Sequence, residues 1–369
     1  MTNSALFIDQ ALGLAAQALF LSSPAPRAGC VLVGSDGTVI GQGFTQRGGQ
    51  AQAEVVALRE AVSNARNTAG ATAYTTMEPC SQNVPLATSC DALIQAGIAK
   101  VVASIANPDP LVAGRGFARL RAAGIEVSVG EGAQASRELN IGYFSRMVRG
   151  TPWVRVKTAA SLDGTTALSN GASQWITSRE ARADGHAWRA RACAVLTGLG
   201  TVLDDDPQLD VRDVPTQRQP DVVVVDSRLQ IPLNARLLRP ARSCYIYTCT
   251  GDPYKQSELT ASDAVHVIRM PNDAGKVDLG AMLQDLGRRG INEVHVEAGH
   301  QLTGSLVREQ LVDELLVYLA PRLLGKGFGM ADFGPLTGLS DGVSLDFKSV
   351  DRIGADLRIL ARIEGRDCF

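Results

Sequence analysis

Histidine is scarce in this 369-residue chain, which has only four, and the first of them is His186. No imidazole metal ligand can therefore come from the first half. The net charge of −2 lacks the basic excess typical of proteins that bind nucleic acid or anionic membranes. The chain also lacks a transmembrane-length apolar run and a signal-peptide start. Its seven cysteines are scattered and odd in number, so we expect reduced thiols in a cytoplasmic protein.

The chain does contain a regular alternation of strand and helix patterns. Its length favours two domains, and Gly150-Thr151-Pro152 is a boundary signal between them. Alternating strands and helices on both sides of this boundary predict α/β layers. Helix patterns fall near residues 4–20, 53–65, 89–96, 117–123, 134–148, 178–192 and 279–289. Two late alternating runs, 343–350 and 355–363, predict a terminal hairpin.

One stretch in the second half predicts a site for a phosphate group. A buried-strand pattern ends at Glu297, and a helical pattern restarts after Ala298-Gly299. Such a turn presents helix N-terminal N–H groups to an anion, and glycine allows close approach. The hydroxyl groups of Thr303 and Ser305 are further candidate donors. On its own, this pattern also fits an ordinary strand, turn and helix.

The first half carries the skeleton of a zinc deaminase. Glu54 opens a predicted helix, Pro79-Cys80 follows a predicted strand, and Cys90 comes later. In zinc deaminases a histidine or cysteine and two further cysteines hold the metal, while a glutamate moves protons. Catalytic zinc needs three protein ligands and one open position.

Ordered motifs along nearly the whole chain resemble the bifunctional riboflavin-biosynthesis deaminase/reductase family. They include Glu78-Pro79-Cys80-Ser81, Cys90-Asp91-Ala92-Leu93-Ile94, Ser173-Gln174-Trp175-Ile176-Thr177 and Val296-Glu297-Ala298-Gly299. The resemblance implies an α/β fold with a cytidine-deaminase-like three-layer domain over residues 1–150. It implies a dihydrofolate-reductase-like domain over residues 151–369, which fits the lack of a dinucleotide-binding glycine fingerprint.

The deaminase part departs from the family pattern at its metal ligands. Gln52 stands where the family has a zinc-binding histidine, and Ser89 stands where it has a cysteine. Only Cys80 is retained, because Cys90 is one residue further along the chain. Segment 81–88 lacks the basic residue that the family directs at the substrate phosphate. We therefore expect no zinc and no deaminase activity, with Glu54 as a catalytic remnant.

The reductase part retains nearly all the positions that the family resemblance implies. It implies NADPH as the cofactor, and Lys157, Asp205 and Glu297 are the candidate catalytic residues. Substrate contacts are expected at Ser173, Arg189, Leu209, Arg212 and Glu297. Cofactor contacts are expected at Ala159, Trp175, Thr201, Asp205, Ser227, Gly299, His300, Gln301, Leu302, Thr303, Gly304 and Ser305.

The implied reaction is reduction of the ribosyl group of a 5-amino-6-(5-phosphoribosylamino)pyrimidinedione to a ribityl group. The expected partner is this small molecule, without nucleic acid or membrane, and the expected assembly is a homodimer. Two alternatives stay open. One is the full bifunctional zinc deaminase/reductase, and the other is a non-catalytic paralogue that binds a pyrimidine nucleotide in a specialised-metabolite pathway.

Overall fold

The computed structural model describes residues 3–48, 50–82, 88–239 and 241–369. The chain forms two compact units, residues 1–149 and 150–369. No helix in the described ranges is both long enough and apolar enough to span a membrane.

The N-terminal unit is built on a five-stranded mixed sheet in the order β2-β1-β3-β4-β5. Strand β1 pairs antiparallel with β2 and β3, whereas β3, β4 and β5 are parallel. The strands are β1 Gly29–Val33, β2 Val39–Phe44, β3 Thr72–Thr75, β4 Lys100–Ala103 and β5 Glu126–Val129. The helices are α1 Asn3–Gln17, α2 Ala53–Ser63, α3 Ser89–Gln95, α4 Arg115–Ala122, α5 Ala133–Leu139 and α6 Ile141–Arg149.

Two apolar clusters fix these layers. Cys30 and Leu32 of β1 pack with apolar residues of α2, α3 and α4 on one face of the sheet. Val31 and Val33, which alternate with them along the strand, pack with α1 on the other face. Both faces of β1 are therefore covered by helices, which confirms the three-layer α/β prediction for this unit.

The single helix predicted over residues 134–148 is instead two helices, α5 and α6, with Asn140 between them. The Asn140 side chain accepts a hydrogen bond from the backbone N–H of Arg27 at 2.7 Å and donates to the Arg27 carbonyl at 2.9 Å. Asparagine competes well for backbone groups through its side chain, and here it anchors the break between the helices. Apolar periodicity alone does not reveal this break.

The C-terminal unit is built on a nine-stranded sheet in the order β11-β10-β9-β8-β12-β6-β13-β16-β15. The strands are β6 Trp153–Ser161, β8 Ala194–Gly198, β9 Asp221–Val225, β10 Cys244–Thr248, β11 Val265–Arg269, β12 Glu293–Val296, β13 Glu314–Ala320, β15 Leu345–Ile353 and β16 Asp356–Ile363, with the short pair β7 Ala167–Leu168 and β14 Gly327–Phe328. The helices are α7 Arg179–Arg191, α8 Leu199–Asp205, α9 Pro253–Leu259, α10 Leu279–Arg288 and α11 His300–Arg308.

The first seven strands in this order are parallel, and β16 and β15 close the sheet as an antiparallel hairpin. The valine run of β9 shows how the interior is built. Val222 and Val224 enter one core cluster, while Val223 enters the cluster on the opposite face. Continuous apolar strands of this kind are typical of parallel sheets buried on both faces.

Most predicted elements of this unit are confirmed, including the terminal hairpin and the N-cap of α7, where Ser178 accepts from the Ala181 N–H. Helices α8 and α9 were not predicted. Both have seven residues, too few to show a clear helical repeat.

Candidate active sites

A cavity in the C-terminal unit joins residues that are far apart in the sequence. It lies beside helix α7 and the carboxyl end of β12. Five of the predicted catalytic, substrate or cofactor residues line it: Lys157, Trp175, Arg189, Arg212 and Glu297. Its other described lining residues are Arg182, Gly185, His186 and Asp213, none of which is predicted as a site residue from the sequence.

Helix α7 provides one wall of this cavity. Arg182, Gly185, His186 and Arg189 follow the spacing i, i+3, i+4 and i+7, which places them on one face of a helix. Ala181 and Ala190 of the same helix are buried in the core. The spacing around Arg189 was therefore a usable signal for Arg182 and His186.

The electrostatic centre of the cavity is the carboxylate of Glu297. Arg189 donates to it twice, from Nε to Oε1 at 2.7 Å and from Nη2 to Oε2 at 3.0 Å. The Lys157 Nζ lies 4.0 Å from Oε2. Burial alone would raise the pKa of Glu297, but Arg189 and Lys157 hold it well below the usual value. Burial, reinforced by Arg189, lowers the pKa of Lys157 despite the nearby carboxylate.

His295 lies behind this carboxylate on β12 and is fully buried. Its Nε2 is 3.6 Å from Glu297 Oε1, beyond hydrogen-bonding distance, and both ring nitrogens lack a partner among the described residues. Burial lowers the pKa of His295 to about 3, so the ring is neutral at physiological pH. In the sequence this residue is indistinguishable from a histidine in an ordinary buried strand.

Trp175 and Arg182 form the outer part of the cavity. The Trp175 side chain is largely exposed, and the Arg182 guanidinium lies 4.4 Å from the ring centroid. Arg182 also donates to the Thr177 carbonyl at 2.8 Å, which fixes the arginine over the ring. The exposed tryptophan face is a suitable wall for a planar ring.

Three of the predicted catalytic or substrate residues, Leu209, Asp205 and Ser173, lie outside the described lining of the cavity. The side chain of Leu209 is buried in a core cluster with Val202 and Val222. It is therefore not exposed for the predicted contact with the substrate. Asp205, a candidate catalytic residue, is exposed and accepts from Gln174 Nε2 at 3.0 Å. Ser173 is half-buried on the segment that leads to Trp175.

Most of the predicted cofactor residues lie at the carboxyl edge of the sheet, which is the side where its parallel strands end. Ser227, Thr201 and Gly299 follow β9, β8 and β12, which are adjacent parallel strands. Ala159 is near the carboxyl end of β6, the next strand in the sheet. Open parallel sheets bind ligands at the carboxyl ends of their strands, so this edge fits a groove for a long cofactor.

Helix α11 begins at this edge with Gly299 as its N-cap. Its first i-to-i−4 bond runs from the Thr303 N–H to the Gly299 carbonyl. The three N–H groups before that bond, on His300, Gln301 and Leu302, have no partner inside the helix. A Cβ atom added at Gly299 would meet no described heavy atom within 4 Å, so there is open space beside the helix start. This geometry fits an anionic group of NADPH.

The two hydroxyl groups predicted for this turn are not both presented at its open end. Thr303 is buried, and Ser305 donates to the Gln301 carbonyl at 3.1 Å inside the helix. Gly304 serves packing, because an added Cβ would lie 1.8 Å from the Asp332 carbonyl oxygen. His300 stacks on Phe328, with ring centroids 4.8 Å apart. The backbone N–H groups are therefore the better candidates for anion binding.

The positions that correspond to the zinc ligands lie around Glu54 in the N-terminal unit. Glu54 is buried and accepts from Thr75 Oγ1 and Ser89 Oγ, both at 2.7 Å. Ser89 also contacts the side-chain oxygen of Gln52. An amide and a hydroxyl are poor zinc donors compared with imidazole and thiolate. Gln52, Cys80 and Ser89 therefore do not fit a catalytic zinc ion.

Cys90 does not replace the missing thiolate. Its buried thiol faces the carbonyl of Pro79, 3.3 Å away, and that of Gly116, 3.7 Å away. Burial, together with the negative charge of Glu54, raises the pKa of Cys90 to about 12, which disfavours the thiolate that zinc needs. Cys30 is buried in β1, and burial likewise raises its pKa. In the segment 81–88, residues 83–87 lie outside the described residues.

Comparisons with known proteins cover both units. The family model for the RibD C-terminal domain matches residues 152–359, more than half of the chain. The riboflavin biosynthesis protein RibD of Escherichia coli K12 is 41% identical over 365 residues, which covers 95% of this chain and 97% of that protein. The chain belongs to the RibD family. The RibD of Aquifex aeolicus is 35% identical over 353 residues, with 96% of each chain covered.

Solved structures of similar proteins confirm the fold of both units. Acinetobacter baumannii RibD, form 1, has a TM-score of 0.88 at 34% identity, covering 98% of this chain and 99% of that one. A Thermotoga maritima protein, described as a diaminohydroxyphosphoribosylaminopyrimidine deaminase/5-amino-6-(5-phosphoribosylamino)uracil reductase, has a TM-score of 0.87 at 27% identity with the same coverage. The two-domain prediction of a deaminase-like and a reductase fold is confirmed.

The comparisons also bear on the deaminase. A family model for the zinc-binding region of cytidine and deoxycytidylate deaminases matches residues 1–105. The RibD relatives match over the deaminase domain as well as the reductase domain. They therefore favour the bifunctional alternative, and the expectation that deaminase activity is absent finds no support in them. The expected absence of zinc stays a prediction that rests on the donor set around Glu54.

Proposed function

We propose that the C-terminal unit is an NADPH-dependent reductase. It converts the ribosyl group of a 5-amino-6-(5-phosphoribosylamino)pyrimidinedione to a ribityl group. The observation that carries this proposal is the convergence of Lys157, Trp175, Arg189, Arg212 and Glu297 on one cavity. Their charges and planar surfaces match a substrate with a phosphate, several hydroxyl groups and a pyrimidine ring.

Each of the residues that line the cavity can contact a different part of this substrate. Arg212 has a half-exposed side chain and provides a cation for the phosphate. The largely exposed Trp175 provides a wall for a ring, and the Glu297 carboxylate can accept hydrogen bonds from hydroxyl groups. Arg189 differs from the predicted role, because its guanidinium is directed at Glu297 and orients that carboxylate.

NADPH would be held by the turn at Gly299 and by residues that follow β8 and β9, and it would supply the hydride for the sugar C1′. The chain's own contribution is position and proton supply. Lys157 is a cation beside the cavity, within 4.0 Å of Glu297, and burial lowers its pKa. A lysine with a lowered pKa releases a proton more readily, so Lys157 is our candidate donor to the sugar oxygen.

Deamination of the aminopyrimidine precursor is the second candidate function. The full-length match to RibD proteins favours it. The side chains around Glu54 do not suit the usual catalytic zinc ion, because only Cys80 among the three ligand positions is a good zinc donor. A bifunctional enzyme would therefore have to hold its metal with an unusual ligand set.

One assay with two substrates tests both functions. Purified full-length protein is mixed with NADPH and either the deaminated pyrimidinedione or its amino precursor, while nicotinamide absorbance and ammonia are followed. We expect NADPH oxidation with the deaminated substrate. No oxidation with either substrate would contradict the proposed reductase and favour a non-catalytic paralogue. Ammonia release from the precursor, with zinc bound to the chain, would establish the bifunctional alternative.

A further inference from the structure

His186 connects the cavity wall to the loop that carries Arg212. The backbone N–H of Arg212 donates to His186 Nδ1 at 3.4 Å, and His186 Nε2 lies 3.3 Å from Asp213 Oδ2. A ring whose Nδ1 accepts a hydrogen bond carries its proton on Nε2, so Nε2 can donate to the carboxylate. Both nitrogens of one neutral imidazole therefore contact consecutive residues of the loop.

The two sides of this contact differ in exposure. The His186 side chain is 7% exposed, whereas those of Asp213 and Arg212 are 48% and 53% exposed. His186 lies one turn before Arg189 on α7. The loop is also held just before Arg212, because Gln219 accepts from the Val211 N–H at 2.7 Å and donates to its carbonyl at 2.8 Å. A buried group thus fixes the backbone from which the exposed arginine extends.

We propose that His186 is a positioning residue that latches the Arg212–Asp213 segment to helix α7 and so directs the Arg212 guanidinium at the substrate phosphate. The inference rests on the proposed function in that it takes the ligand to carry a sugar phosphate. The His186 side chain has no part in hydride transfer. Its loss should therefore weaken substrate binding more than it slows turnover.

Protonation of His186 should open the latch. The protonated ring has no acceptor at Nδ1, so the bond from the Arg212 N–H is lost. Burial and the charge of Arg189 lower the pKa of His186, while Asp213 acts in the opposite direction. The charged groups that face the ring or line the same cavity are Arg182, Arg189, Arg212, Asp213, Lys157 and Glu297. We expect KM to rise at pH values below the ordinary histidine pKa of about 6.5.

Three variants of the full-length chain test the latch by steady-state kinetics. His186→Ala should raise KM for the phosphorylated substrate about tenfold, with kcat changed less than about threefold and KM for NADPH unaltered. His186→Gln keeps one acceptor and one donor but does not titrate. It should restore most of the lost affinity and reduce the rise in KM in acid to the part that protonation of the substrate phosphate itself causes, since that group has a pKa of about 6. His266→Gln, on strand β11 outside the cavity, is the matched control and should keep the wild-type pH profile.

A wild-type KM in His186→Ala would overturn the latch. So would equal losses of kcat and of affinity for both substrates that His186→Gln does not restore, because these indicate a general folding defect. Calorimetry with ribose 5-phosphate separates this inference from the proposed function. If wild-type protein binds the probe and His186→Ala binds it about tenfold more weakly, the latch stands even where NADPH oxidation fails. Equal binding by both proteins would overturn the latch while leaving the reductase proposal to its own assay.

Discussion

The guanidinium of Arg189 and the carboxylate of Glu297 form a two-point ion pair, with N···O distances of 2.7 and 3.0 Å. Arg189 comes from the last turn of α7, whereas Glu297 follows β12. Both side chains are mostly buried, at 12% and 15% exposure. The pair therefore ties helix α7 to the sheet at the cavity wall and fixes the orientation of the Glu297 carboxylate.

A double-mutant cycle should show that Arg189 and Glu297 contribute to the unfolding free energy in a coupled way. Arg189→Met leaves a mostly buried carboxylate without its main partner, and it should cost about 3 kcal/mol of unfolding free energy. Glu297→Gln should cost a similar amount, and the double variant should cost less than the sum. Urea unfolding of the four proteins measures the coupling. Simple additivity within about 0.5 kcal/mol would show that the two groups act independently.

Arg212→Ala should act on substrate binding and leave the fold intact. The side chain is 53% exposed, and its ion pair with Asp210, whose side chain is 22% exposed, lies near the surface. Loss of a charge-assisted phosphate contact should raise KM about tenfold or more, with little change in unfolding free energy. Arg212→Lys keeps the positive charge but loses the two-point hydrogen bonding of a guanidinium. Its KM should therefore lie between that of wild type and that of Arg212→Ala. An unchanged KM on the phosphorylated substrate would remove Arg212 from the phosphate site.

The sequence predicted the parts of the site that follow local patterns. The turn at Gly299 was predicted because a strand pattern, small residues and a helix pattern follow one another there, and α11 does begin at His300. Arg189 and Glu297 were both predicted as substrate contacts. Their direct pairing was not, since 108 residues separate them and only the sheet order brings β12 next to the helix layer.

What the sequence could not show was the direction of side chains within confirmed elements. Thr303 lies in the predicted turn, yet it is buried, and Leu209 is predicted as a substrate contact, yet its side chain packs in the core. His186 and Asp213 are separated by a strand, a helix and a loop, so their contact depends on tertiary packing. Helical spacing from Arg189 was the only local signal for His186.

Gly304 inside α11 and Gly299 at its N-cap should respond to alanine in different ways. At Gly304 the added Cβ would lie 1.8 Å from the Asp332 carbonyl oxygen, so Gly304→Ala should lower the unfolding free energy by about 1–3 kcal/mol. At Gly299 φ is −69° and the space is open, so Gly299→Ala should cost less than about 1 kcal/mol, the usual loss when alanine occupies an N-cap. If NADPH occupies that space, Gly299→Ala should weaken NADPH binding in calorimetry. Equal effects of the two variants on stability would contradict a packing role for Gly304 and open space at Gly299.

His295 should make the protein sensitive to acid. Its folded-state pKa is depressed to about 3 by burial, whereas an unfolded histidine has a pKa of about 6.5. As the pH falls below about 6.5, the unfolded chain takes up a proton that the folded chain does not. The free energy of unfolding therefore decreases.

Replacing His295 by leucine should remove this effect. Between about pH 7.5 and pH 5.5, wild-type protein should lose about 1.4 kcal/mol more unfolding free energy than His295→Leu. At neutral pH the leucine should be tolerated, since the ring nitrogens have no hydrogen-bond partner among the described residues. The comparison of two proteins at each pH cancels the contribution of other groups such as His186. Parallel pH dependence in the two proteins would contradict the depressed pKa.

The last prediction concerns the three positions around Glu54. In the native chain Ser89 donates to Glu54 at 2.7 Å, and Cys80 is the only good zinc donor among Gln52, Cys80 and Ser89. Gln52→His combined with Ser89→Cys supplies imidazole at the N-cap of α2 and thiolate at the first residue of α3, so this double variant should bind about one zinc ion per chain and more tightly than wild type. A third change, Cys80→Ser, should abolish the gain, which controls for adventitious metal. Elemental analysis after exhaustive dialysis measures the content. One zinc ion already bound to wild-type protein would show that the donor-set argument is wrong and that the bifunctional alternative holds its metal through other groups.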